Sequence, residues 1–237
     1  MKKNIFISIS WSIVSLFATL HMPSYADSLK CGSLKISGNG PFDYRNEREE
    51  LSKVEGAHFT EVVEALIRGT TNNSPGGDIG FTLAVFPNNH RALIAMMKLG
   101  EREKTDKPSG SRYSVECWFD RALRFRPDDS VVRMIYSSYL DSKGRPNEAN
   151  SQLDAARVYA KDSAITHYNI GMYYLKLNNP EQALVQAHKA IALGWPQRHL
   201  QDQLLKIGKW REPAAQPKFS PETQEPASPP QPSMNGK

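Results

Sequence analysis

The chain lacks the short motifs that mark common enzyme classes. It has no Gly-rich phosphate loop, no Gly-x-Ser-x-Gly elbow, no Cys-x-x-Cys pair and no His-Glu-x-x-His motif. The five histidines that follow Ala26 show no metal-ligand spacing. Two of them, His167 and His188, could face each other in one predicted hairpin, but a zinc site would need a third protein ligand. We therefore predict a non-enzymatic protein without catalytic residues, metal or cofactor.

Clustered positive charge and cysteine are both scarce. The formal net charge is +5 over 237 residues, and no basic run is interleaved with aromatic residues, so we predict no nucleic-acid partner. The two cysteines are Cys31 and Cys117. An even number of cysteines in an exported protein favours a disulfide between them, and two separate buried thiols are the alternative.

Beyond Leu20 the sequence has no long hydrophobic run. The N-terminus has Lys2 and Lys3, an apolar stretch over residues 5–20, and small residues around Ala26, which together predict a secretory signal peptide cleaved after Ala26. An uncleaved anchor is the alternative. Cleavage would remove two lysines and no acid, lowering the net charge from +5 to +3. We expect a periplasmic or secreted chain with no integral membrane segment after cleavage.

Residues 130–196 match themselves when shifted by 34 positions. The coinciding residues are small or helix-initiating: Ala149 and Ala183, Ala156 and Ala190, Pro146 and Pro180, Ser137 and Gly171. A period of this size is typical of stacked helical hairpins, in which each unit buries its apolar face against its neighbours. Small residues allow the paired helices to approach closely where they cross.

The second copy resembles the tetratricopeptide repeat (TPR). The resemblance depends on His167, Ile170, Gly171, Tyr174, Ala183, Ala187, Ala190 and Pro196. His167 and Ala187 stand where that family places aromatic residues. With the segments 40–45, 54–59 and 87–93, the chain is similar to exported bacterial TPR proteins of undefined role. The resemblance implies an all-α fold, a short right-handed solenoid of three to four TPR-like helical hairpins.

The predicted organisation has four parts. A signal peptide spans residues 1–26, an extended arm 27–56, and a TPR-like helical domain 57–211. Within that domain the clearest repeats are 130–163 and 164–197, followed by a capping helix over 197–209. Residues 212–237 are rich in Pro, Gln, Ser and Glu, and we expect this tail to be disordered because it has too little apolar surface to bury.

The resemblance also predicts roles for individual residues. The structural repeat positions are Ala149, Ala156, Gly171, Tyr174, Ala183 and Ala190. The positions that would line a concave groove are Ala92, Met96, Met134, Ser138, Tyr168, Asn169 and Met172. Such a groove would bind a helix or peptide of a protein partner in the cell envelope. For the methionines, packing between repeats is the alternative.

Two other functions remain open at this point. A ligand or substrate could bind at the arm segment 40–59, where turn-forming residues stand beside aromatic ones. In that segment Asp43, Tyr44, Arg45 and His58 could instead simply lock the arm onto the first hairpin. The chain could also be a structural subunit of an envelope complex. The partner and the oligomeric state are not predictable from these patterns.

Overall fold

The structure is a computed structural model that describes residues 31–35, 38, 40–70 and 73–213. Over this part of the chain it contains helices and no strand, which confirms the all-α prediction. The helices are α1 (Arg48–His58), α2 (Glu61–Glu64), α3 (Pro75–Val85), α4 (His90–Glu103), α5 (Val115–Phe125), α6 (Ser130–Ser142), α7 (Pro146–Tyr159), α8 (Ala164–Lys176), α9 (Pro180–Ala192) and α10 (His199–Lys206). The predicted signal peptide, residues 1–26, lies outside the described residues, as does the predicted tail from residue 214 onward.

Helices α6 and α7 form a hairpin that α8 and α9 repeat with the period seen in the sequence. Ser130–Ser142 corresponds to Ala164–Lys176, and Pro146 and Pro180 each occupy the first turn of the second helix. Proline suits this position because the missing N–H would have no partner within the helix. Asp129 and Ser163 cap the first helices by accepting bonds from backbone N–H groups. The described part of the chain is therefore repeat-like in structure as well as in sequence.

The small residues of the two copies lie where the helices pack. Ala149, Ala156, Ala183 and Ala190 are almost fully buried, as are Gly171 and Tyr174. A Cβ atom added at Gly171 would contact the Leu200 side chain and would lie 3.2 Å from the Cβ of Gln186. Glycine at position 171 therefore allows α8, α9 and α10 to approach one another closely.

Two apolar clusters form most of the core. The first joins α3, α4, α5 and α6 around Trp118, Phe119 and Met96, and the second joins α7, α8, α9 and α10 around Leu153 and Tyr174. A third, small cluster packs Leu51 of α1 against Val85 and Phe86 at the end of α3. Each helix packs mainly on helices near it in the chain. This is the contact pattern expected for stacked hairpins.

The predicted extended arm is correct only in part. Residues 48–56 lie within α1, because Leu51 and Val54 face the small cluster at Phe86 and give α1 one apolar side. The acidic residues Glu49 and Glu50 stand in its first turn, where negative charge favours a helix. Residues 31–35, 38 and 40–47 contain no helix. We call residues 31–47 the arm.

The predicted capping helix has a counterpart in the structure. Helix α10 lies within the expected capping segment 197–209. Within the described ranges, none of the helices combines the length and the apolar character needed to cross a bilayer.

Candidate functional site

A disulfide ties the arm to α5. The sulfur atoms of Cys31 and Cys117 are 2.14 Å apart, and their Cα atoms are separated by 5.0 Å. The predicted pair is thus at bonding distance, and it joins residues 86 positions apart in the chain. The bond holds the start of the arm against the body of the protein.

Two arginines of α5 hold the arm next to this bond. The Nη1 group of Arg121 donates to the carbonyl oxygens of Cys31 at 3.0 Å and Ser33 at 2.7 Å. Arg124 Nη2 donates to the carbonyl oxygen of Gly32 at 3.0 Å. Gly32 has a φ of 70°, and a Cβ atom added there would clash with the hydroxyl of Tyr113, so a side chain is excluded here on both grounds. The path of the arm is therefore set by backbone contacts as well as by the disulfide.

A buried carboxylate locks the other end of the arm. Asp43 is 3% exposed and accepts hydrogen bonds from Arg45 Nη2 at 2.7 Å, Arg126 Nε at 2.6 Å and Asn88 Nδ2 at 2.8 Å. Burial raises the pKa of Asp43, but the bonds from Arg45, Asn88 and Arg126 outweigh it and hold the pKa well below its usual range. Asp43 and Arg45 thus hold the arm, but their partners Asn88, Arg126 and Asp128 lie beyond the first hairpin to which the sequence assigned them.

The same network reaches the starts of α4 and α6. The side-chain amide of Asn88 donates to both Asp43 and Asp129, and its distance to Asp129 Oδ2 is 2.9 Å. His90 Nε2 lies 3.0 Å from the same Asp129 oxygen. Asp129 also caps α6. Burial raises the pKa of Asp129, and the hydrogen bonds from His90 and Asn88 bring it below its usual value. These polar groups join three segments of the chain rather than facing open solvent.

Between the two ends of the arm lies an open cleft with a volume of about 680 Å³. We call it the arm cleft. Its walls come from the arm, α1, α3, the loop before α5, and α5 itself. The apolar lining includes Phe42, Val54, Phe81, Val85 and Trp118. Phe42 and Val54 belong to the segment 40–59, where the sequence left a ligand site open.

The charged lining of the arm cleft is mainly cationic. The lining contains one carboxylate, that of Glu50, and three cationic side chains, those of Lys35, Arg112 and Arg121. Glu50 also lies 3.0 Å from Lys53 Nζ, so its charge is already partly balanced. Within the described ranges, neither Arg112 nor Arg121 has a carboxylate partner within 4.0 Å. The lining therefore has an excess of positive charge.

Three of the predicted groove residues are in the core. Ala92 and Met96 are fully buried and Met134 is 4% exposed, so none of them can line an open groove. This part of the groove prediction is wrong because α3 packs against α4, and the core clusters enclose these side chains. Met96 and Met134 instead follow the alternative interpretation, in which the methionines pack in the core.

The other four predicted groove residues are partly exposed: Ser138, Tyr168, Asn169 and Met172. Ser138 accepts a bond from Lys176 Nζ at 3.2 Å, and the rings of Tyr168 and Trp195 lie 5.3 Å apart. These four residues are therefore half-buried positions of α6 and α8, and none of them lines the arm cleft described above.

The histidine pair considered from the sequence does not form. His167 is buried, with Nδ1 2.7 Å from Gln186 Oε1 and Nε2 2.8 Å from the carbonyl oxygen of Lys161. His188 instead lies edge-on to Trp210, with 4.9 Å between the ring centroids. In the part of the chain that the structure describes, no three His, Cys, Asp or Glu side chains are grouped so that they could hold a metal ion.

Sequence reasoning missed the cationic residues of the arm cleft. Arg121 lies three positions after Trp118 and one before Ala122, on the buried side of α5. The arginine on the apolar face of α5 was the signal that could have revealed the site, because such a face rarely includes an arginine without a specific partner.

No protein-family model, curated protein sequence or solved structure matches the chain. The class of the protein is therefore described from its own structure. It is an all-α, repeat-like protein in which an N-terminal arm, tied down by a disulfide, forms one wall of a cationic cleft.

Proposed function

We propose that the protein is a non-enzymatic binding protein of the cell envelope and that the arm cleft holds its ligand. The observation that carries the proposal is the cleft itself, with a volume of about 680 Å³ and walls held by a disulfide and by Arg121. Sites for small molecules have volumes of about 300 to 1,000 Å³ and are largely apolar with a few placed polar groups. The lining described above has this composition.

The proposal includes export and a TPR-type solenoid. The second hairpin follows the first at the sequence period, which supports the solenoid because this period equals the TPR repeat length. The Cys31–Cys117 disulfide supports export through the predicted signal peptide, because such bonds persist in oxidising compartments.

A second candidate function is capture of a protein partner on α6 and α8. The observation that favours it is that Tyr168, Asn169 and Met172 remain partly exposed on one helix. Met172 and Tyr168 could contact an apolar side of a partner's helix. This surface is separate from the arm cleft, so the two functions can be tested independently.

Filling the arm cleft tests the first proposal. Ala84 lines the cleft from α3, and Ala84→Trp would occupy its space, whereas Ser151→Trp places the same side chain on the exposed surface of α7. The melting temperature of the wild type would be measured against small molecules of either charge sign. A ligand present at 100 times its dissociation constant stabilises by about 2.7 kcal/mol, or about 5–10 °C for a chain of this size.

We expect Ala84→Trp to abolish this rise and Ser151→Trp to preserve it. A ligand that raises the melting temperature equally in Ala84→Trp binds elsewhere, which contradicts the proposal. A panel that leaves the wild type unchanged contradicts it as well.

A further inference from the structure

Arg121 is a buried cation with unused hydrogen-bonding capacity. Its side chain is 2% exposed, and the two hydrogen bonds to the arm both come from Nη1. Its Nε is buried without a partner among the described residues. A guanidinium has five N–H donors, and an unpaired buried donor is costly. Arg121 therefore faces the cleft incompletely bonded.

A second guanidinium, that of Arg112, packs against the same tyrosine ring as Arg121. The Cζ atoms of Arg112 and Arg121 are 5.2 Å and 4.8 Å from the ring centroid of Tyr113, and that of Arg121 is 5.5 Å from the Trp118 ring. Burial lowers the pKa of Arg121, and the positive charges of Arg124 and Arg112 lower it further. Burial is the largest of these effects, and the interactions of Arg121 with Tyr113 and Asp120 act in the opposite direction.

We infer that the arm cleft recognises a small monocarboxylate with an apolar body, with Arg112 and Arg121 binding the carboxylate and the apolar lining taking the body. This inference rests on the proposed function of the cleft. A planar guanidinium fork matches the two oxygens of a carboxylate, and a charge-assisted bond is stronger than a neutral one. Phe42, Phe81 and Trp118 supply the apolar and aromatic surface for the rest of the molecule.

The charges of the lining favour an anionic ligand. Lys35, Arg112 and Arg121 outnumber Glu50, and Glu50 would repel only negative charge placed next to it. Arg112 has an exposed side chain, so it can move to meet a ligand while Arg121 stays bonded to the arm.

The inference is tested by titrating the disulfide-bonded full-length protein with two probes of nearly the same shape, 1-naphthaleneacetate and 1-naphthaleneacetamide. They differ in the charge of one group, and at pH 7 the acetate is ionised. Isothermal titration calorimetry measures both dissociation constants. We expect the acetate to bind about tenfold or more tightly than the amide, the amount that one charge-assisted bond provides.

Arg112→Gln is the test variant and Arg157→Gln the matched control. Both remove one arginine charge, but Arg157 is on α7 and outside the cleft lining. We expect Arg112→Gln to weaken acetate binding about tenfold and leave amide binding unchanged. Arg157→Gln should change neither constant.

The outcomes separate the inference from the function on which it rests. Equal affinity for the two probes, lost in Ala84→Trp, would overturn carboxylate recognition while leaving the cleft as a binding site. Acetate binding that Arg157→Gln weakens as much as Arg112→Gln would also overturn it, because net charge alone would explain the preference. No binding of either probe up to its solubility limit would count against the cleft itself.

Discussion

Removing the Cys31–Cys117 disulfide should destabilise the protein and release the start of the arm. The bond spans 86 residues. In the chain-entropy model a closed loop of this length lowers the entropy of the unfolded chain enough to stabilise the fold by about 4.6 kcal/mol, and measured losses for native disulfides are about 2–5 kcal/mol. We therefore expect the double variant Cys31→Ser/Cys117→Ser to lose about 2–5 kcal/mol.

Urea unfolding followed by circular dichroism measures this loss. With a slope of about 2 kcal/mol per molar urea, the midpoint should fall by about 1–2.5 M. The wild type treated with a reductant should show the same fall, and the double variant should not respond to the reductant. Arg121 and Asp43 still hold the arm in the variant, so its helices should remain folded without denaturant.

A midpoint that reductant leaves unchanged in the wild type would refute this reasoning. It would mean either that the cysteines are not bonded in solution or that the unfolded chain is already as compact without the bond. Counting free thiols under denaturing conditions separates these two explanations.

Two further predictions concern the buried network and the surface of α8. Because the pKa of Asp43 is lower in the folded protein than in the unfolded chain, its contribution to stability is complete above pH of about 4 and is lost as the pH falls below this. Asp43→Asn should lower the free energy of unfolding by about 1.5–3 kcal/mol at pH 7 and reduce the further loss of stability on acidification. Urea titrations from pH 7 to 3 measure both effects. A variant that loses as much stability on acidification as the wild type would contradict the role given to this carboxyl. Met134→Glu should unfold the protein because its side chain is 4% exposed, whereas Met172→Glu should stay folded and lose any partner bound on α8. Crosslinking of a partner from a photoreactive residue at position 169 that Met172→Glu leaves unchanged would contradict partner capture there.

The order and position of the later helices were accessible from the sequence because their signals are local. Pro146 and Pro180 mark helix starts, and the alanines of each copy recur at helical spacing. Both kinds of signal act within a few turns of one helix. Accordingly, α6 to α9 lie close to where the repeat period predicts them.

The error in the arm has a different origin. Helix α1 is weakly patterned, and Leu51 becomes a buried position only because Val85 and Phe86, which are distant from it in the chain, are placed against it. Turn-forming residues at its start resemble those of an extended segment. Local propensity alone could not decide between the two conformations.

The sequence by itself determined the class of the fold, the repeat length and the helix starts, because each depends on periodicity or on capping residues. For the two cysteines it offered a disulfide as one of two alternatives, and the structure places them at bonding distance. Only the tertiary structure decided which first-helix residues are exposed and where a cleft exists. Met96 and Met134 occupy core positions because the neighbouring helices enclose them. The arm cleft exists because Arg121 binds a carbonyl 90 residues earlier in the chain, and contacts of this range leave no pattern in a single sequence.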